Sequence, residues 1–201
     1  MCVAVSARTC VVVSWPTCVA SSADRLVVEN AASCVVVIAG IFIIAATRPN
    51  TFTVERSLKI NAAPEKVFPY LISFKKGLEW SAWDKQEEEV KRTFTGPESG
   101  MGATYEFEGK KSGHGKLSYK NIVPNELVKM DLTFYKPMQG SNDVTYSLKK
   151  DGDATVMNYH MTGPAPLIAR VIWMFVNMDK YMGDKFNQSM QNLKTIVEEK
   201  K

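Results

Sequence analysis

The chain has 201 residues, 45% of them apolar and 23% charged, with a formal net charge of +4. Those values fit one main domain with an appendage and exclude a globally disordered chain. Its lysines, all from Lys59 onward, are spread through the body with no compact basic cluster, so no nucleic-acid partner is expected. All four cysteines, Cys2, Cys10, Cys18 and Cys34, precede residue 35. The body therefore has no disulfide framework, thiol nucleophile or cysteine metal site. Its two histidines, His114 and His160, are not spaced as helical metal ligands, and no metal or cofactor is expected.

In chain order, residues 1–30 read unlike the rest. Cys2, Cys10 and Cys18 recur every eight residues, a period matching neither a helix nor a heptad seam. This stretch is read as an extension, disordered or translated from a start assigned too far upstream. Residues 31–47 (AASCVVVIAGIFIIAAT) run seventeen residues without a charge between Glu29 and Arg48. That is the lower edge of a helical bilayer span, and a single N-terminal membrane anchor is expected. A signal-peptide core or an ordinary buried element are the rivals. Arg48-Pro49-Asn50 then ends the helix and opens a domain over 51–201.

Thr51–Ile60 alternates as a strand. Pro64 and Glu65 then mark a helix start, with Val67, Phe68 and Leu71 inward. Trp80-Ser81-Ala82-Trp83 follows. Six strands are predicted at 88–95, 103–108, 115–123, 127–135, 143–149 and 154–162, separated by turns such as Lys111-Ser112-Gly113, Pro124-Asn125 and Asp151-Gly152-Asp153. From about Ala165 to Glu199, Ile168, Ile172, Phe175, Met178, Met182, Phe186, Met190, Leu193 and Val197 form one helical stripe. The order of strand, short helices, six strands and long helix is α+β, an antiparallel sheet curling around the last helix.

At this point the chain resembles a known family. The pieces VERSLKINAAPEKVFPYL, EWSAWD, GPESGMGATYEFEG, VPNELVKMDLTF and NMDKYMGDKFNQSMQNLK, in that order, look like the START-like, helix-grip (SRPBCC) superfamily, in its polyketide cyclase/dehydrase and lipid-transport branch. The resemblance covers about Thr51 to Lys200. It implies a curved sheet of about seven strands around a C-terminal helix, and binding of apolar molecules between them. It carries no shared catalytic motif, so fold does not settle activity.

Strand alternation gives the expected lining. Tyr105 and Phe107 share one face of their strand, Leu117 and Tyr119 that of the next, and Met130 belongs to a row with Val128, Leu132 and Phe134. Tyr146 alternates with Val144 and Leu148, and Met157, Tyr159 and Met161 follow. Met178, Met182 and Phe186 supply the helix wall, and Trp80 and Trp83 a lip. Tyrosine offers a ring with one hydroxyl and methionine adapts to irregular shapes, a lining for a bulky apolar ligand. The plain alternative is that these side chains only fill the core and the tryptophans plug an open end.

Glu106, Glu108, Asp131 and His160 are placed outward, His114 in a turn, and Asp179 and Lys180 at a helix cap or a bridge to the sheet. No acid–base pair is visible on the inner face. The leading expectation is a membrane-tethered module that binds or carries a lipid, isoprenoid or polyketide-like molecule. The alternatives are a cyclase/aromatase-type enzyme and a protein-interaction or stress-related module. A polar group buried near the tyrosine hydroxyls would raise the enzyme. A filled interior with an exposed apolar patch would raise the interaction module.

Overall fold

The computed structural model describes residues 22–87, 89–136 and 139–199, with side chains in the first helix described from Val35 onward. It divides into two compact units, Met1–Thr47 and Arg48–Lys201. The described residues of the first form one helix, α1 (Ser22–Thr47), so the chain is already helical within the stretch read as an extension; residues 1–21 lie outside the described residues. Val35, Val36, Val37, Ile38, Phe42, Ile43 and Ile44 are exposed on α1, whereas Ala45 is buried. Among the described residues, no helix is long and apolar enough to cross a membrane.

The second unit runs β1 (Thr51–Ile60), α2 (Pro64–Leu71), α3 (Phe74–Trp80), β2 (Lys91–Thr95), β3 (Thr104–Gly109), β4 (Gly113–Val123), β5 (Leu127–Lys136), β6 (Gly140–Asp151), β7 (Ala154–Pro164), α4 (Leu167–Ile172) and α5 (Met178–Glu199). The strands form one seven-stranded sheet in the order β1-β7-β6-β5-β4-β3-β2, every pair antiparallel. The α+β architecture anticipated from the pattern is the one observed. The long β1–β7 pairing, Thr51 opposite Pro164 through Ile60 opposite Thr155, brings the two ends of the domain together.

Register explains the core. Val54, Met161, Val144, Met130 and Tyr119 lie opposite one another across five strands and are all buried. Two register shifts in β4, at His114/Gly115 and Tyr119/Asn121, bend the sheet toward α5. Gly115 belongs at the first shift because a Cβ there would meet Cζ of Phe107 at 2.6 Å and the Thr133 carbonyl at 3.0 Å. α5 lays Met182, Phe186, Met190, Leu193 and Val197 on the concave face, as its spacing predicts. It also covers the β1 edge: Lys194 donates to the Lys59 carbonyl (3.0 Å), and the Asn61 amide donates to Glu198 (2.6 Å).

Three expectations are corrected. The closing stripe is not one helix: α4 ends at Ile172 and α5 begins at Met178. Asn177 causes the restart, accepting the Lys180 amide at 3.0 Å as an N-cap. Ile168, Ile172 and Phe175, expected on the inward stripe, are exposed instead. The second correction is His114, which lies in β4 rather than in a turn, its Nε2 2.7 Å from Glu106 Oε1 on the neighbouring strand. The third concerns boundaries. β2 begins only at Lys91, and β6 extends back to Gly140, its turn residues pairing with β5 instead of interrupting it.

Candidate functional site

The concave face carries two aromatic groups. In one, Phe186 of α5 stacks on Tyr159 (ring centroids 3.8 Å, planes 8° apart), Tyr159 meets Tyr146 edge-on at 4.7 Å, and Tyr146 meets Trp80 at 5.7 Å. In the other, Phe94 stacks on Tyr105 at 5.0 Å, with Phe107 and Phe74 alongside, and Phe74 stacks on Tyr119 at 4.4 Å. Met130 and Met161 lie buried in the row between, Met157 lies one row deeper beside Leu148, and Met182 faces them from α5. Leu117 and Phe107 are half-buried toward the open end, as is Met178 at the start of α5. The predicted lining is thus one surface, and in this structure its side chains pack on one another.

Each buried hydroxyl has a defined role. Tyr119 donates to the Leu71 carbonyl at 3.1 Å, fastening β4 to the end of α2. The Tyr146 and Tyr159 rings meet with their hydroxyls coupled to one another, and Trp83 acts on the Tyr159 hydroxyl as well. Burial pushes the Tyr159 phenol up to about 12 and the Tyr146 and Tyr119 phenols upward too. Tyr105 donates to Asp84 Oδ1. Burial first, and then the Asp84 carboxylate, raise the Tyr105 pKa, while Arg92 pulls the other way. All four phenols therefore remain protonated donors at neutral pH and are not bases.

Asp84 and Arg92 were not singled out from sequence. Arg92 lies on β2 two residues before Phe94, at an inward position, and a cation there was the legible signal. Its Nη2 donates to the Asp84 carbonyl at 3.0 Å, whereas its Nε stands 3.7 Å from Asp84 Oδ1, too far for a hydrogen bond. That Nε–H is buried without an acceptor. Carboxylate, guanidinium and phenol form a charge-balanced cluster with one donor unused.

Residues 80–87 run across the concave side as a strap. At its start the Trp80 carbonyl accepts from Asn192 (3.0 Å), and the Ala82 amide donates to Ser189 Oγ (2.9 Å), both on α5. Midway, Asp84 is held by Tyr105 and Arg92. At its end Glu87 accepts from the amides of Lys110, Lys111 and Ser112 and from Ser112 Oγ, at 2.7–3.1 Å. Desolvation would raise the Glu87 pKa, but those four hydrogen bonds hold it down at about 2. Beside these polar anchors, Trp80 packs on Tyr146 and the Trp83 ring meets Tyr181 of α5 at 6.1 Å.

Two cavities flank this interior. One of about 240 Å³ lies between Phe74, Phe94 and the Thr95–Glu98 turn. The other, about 770 Å³, is an open groove between β1 (Phe52, Val54) and the Trp173–Asp179 segment, and Met178 alone of the predicted lining borders it.

No family model matches the sequence, and no curated protein matches it either. Solved structures do match. Norcoclaurine synthase from Thalictrum flavum, solved in complex with dopamine and hydroxybenzaldehyde, superposes with a TM-score of 0.58 at 12% identity, over 75% of this chain and 88% of that one. Protein MLL2253 from Mesorhizobium loti gives 0.55 at 17% identity over 75% and 99%. DynU16, a protein of the dynemicin biosynthetic locus, gives 0.53 at 10% identity over 75% and 48%. The fold is the START-like helix-grip fold. Within that helix-grip frame the sheet and α5 enclose the face described above, and at these identities the likeness speaks for the fold alone.

Proposed function

We propose that the helix-grip domain binds a small, mostly apolar molecule bearing one neutral polar group, between the concave sheet face and α5 and beneath the 80–87 strap. The observation that carries this reading is the Tyr105–Asp84–Arg92 cluster at the margin of a buried tyrosine and methionine face. A ring system or chain would lie against the aromatics. One hydroxyl or carbonyl would take the unused Arg92 Nε–H or replace Asp84 at Tyr105. A charged headgroup fits poorly, because the carboxylate and guanidinium already balance. Lipid alcohols, isoprenoids and polyketide-like compounds meet that description. That a protein of this fold was solved with dopamine and hydroxybenzaldehyde supports the reading by analogy. Entry requires Trp83 to swing out with the strap. The exposed apolar side chains of α1 between Val35 and Ile44 support a membrane-associated chain, because so many of them in a row favour an apolar medium over water.

Native mass spectrometry of protein purified from its own host tests the binding. A co-purifying lipid-sized mass is expected, and Tyr105→Phe should weaken its retention about three- to tenfold, the value of one hydrogen bond. Repeated absence of any adduct under gentle conditions overturns the reading.

A second reading draws on the same cluster. Asp84 is a carboxylate in direct contact with an inner-face hydroxyl, the polar group that a cyclase or dehydrase acting on a polyketide-like substrate would use. Asp84→Asn would then abolish turnover while leaving binding intact, whereas in a pure binding protein it changes retention only.

A further inference from the structure

The first half of the closing apolar stripe has no partner inside the domain. Ile168 and Ile172 share one side of α4, Phe175 and Val176 follow in the turn after it, and the four are 62%, 48%, 75% and 46% exposed. Among the described residues of the domain nothing covers them, while the neighbouring Ala169 of α4 is buried. The side chains are thus positioned, not loose. Trp173 packs edge-on against Phe52 of β1 (5.4 Å), and Arg170 Nη1 donates to the Arg48 carbonyl at 2.9 Å. Arg48 is the residue through which the domain is joined to α1. The exposed stripe is therefore fixed beside the point where the chain passes into a helix that exposes Val35, Val36, Val37, Ile38, Phe42, Ile43 and Ile44.

We propose that the α4 stripe and the Phe175–Val176 turn dock onto a lipid bilayer surface. Its chemistry fits that occupant. Aliphatic and aromatic side chains are exposed together, and Phe175 and Val176 line one groove with the exposed cation Arg48, the pairing of an interfacial anchor on anionic lipid. Docking would turn the groove of about 770 Å³ between β1 and Trp173–Asp179 toward the acyl chains, giving an apolar ligand a route that avoids water. This inference rests on the membrane association of α1 proposed above.

The test uses the full chain with vesicles of phosphatidylcholine and phosphatidylglycerol. Flotation reads the association of the chain, and amide hydrogen exchange over residues 167–176 reads docking. Flotation together with exchange in that segment slowed about fivefold or more is expected. The double variant Ile168→Glu, Phe175→Glu, at exposed positions that folding does not use, should still float and lose the slowing. Flotation with unchanged exchange overturns the docking and leaves the α1 reading standing. Failure to float overturns both. Slowed exchange that follows protein concentration without vesicles also overturns it, in favour of a second copy of the chain.

Discussion

Tyr105, Asp84 and Arg92 are held by different forces, and that difference predicts what each contributes. The Tyr105 ring is stacked on Phe94 and buried, so its packing survives loss of the hydroxyl. Tyr105→Phe removes one charge-assisted hydrogen bond, and should lower stability by about 1–2 kcal/mol. Asp84→Ala costs more, because it leaves the Arg92 guanidinium, only 24% exposed, facing apolar surroundings without its counter-charge. That partial exposure keeps the loss below the range of a fully buried pair, at about 2–3 kcal/mol. Chemical denaturation of both variants checks the order. Equal losses would mean that Arg92 finds water as readily as it finds Asp84.

The break between α4 and α5 shows where sequence reasoning stops at the level of elements. Spacing located every strand and the inward faces of β3 to β7, because burial of one sheet face imposes a period of two that a one-residue slip would destroy. The stripe from Ile168 to Val197 kept its period through residues 173–177, so periodicity alone could not reveal that Asn177 caps a new helix. The Asp84–Arg92 contact was hidden for a different reason. It joins a strap without periodicity to an edge strand. Asp179 was legible as a bridge, and it does pair with Arg56 of β1 at 2.7 Å. Gly183 makes room for that bridge, since a Cβ there would meet Arg56 Nη2 at 2.1 Å. Gly183→Ala should gain about 1 kcal/mol of helix propensity, and lose a similar amount as Arg56 is pushed off Asp179. The expected net change is near zero. With Arg56→Ala already in place, the same substitution should stabilise, and a double-mutant cycle by thermal denaturation measures the coupling.

At the scale of the domain, the sheet and α5 form a frame whose edge strands are β1 and β2, and the 80–87 strap crosses its open side. A ligand beneath the strap must displace its polar anchors, which exchange readily with water, together with the packing of Trp80 and Trp83. The Glu87 anchor is the one that pH addresses. Its carboxyl titrates at about 2 in the fold against an ordinary 4.5, so the ionised form is the one the fold stabilises. That contribution is complete above 4.5 and is lost as pH falls from there through about 2. The distal end of the strap should therefore release across that window, while the Ala82–Ser189 bond at its other end, between two groups that do not titrate, persists. The expected readout is movement of the Lys110, Lys111 and Ser112 amide resonances with a midpoint near 2, and faster entry of an apolar fluorescent probe over the same range. Glu87→Gln should admit the probe quickly at neutral pH and show no further acceleration on acidification. A variant that keeps the wild-type pH profile would place the gate elsewhere, with Trp83 as the next residue to replace.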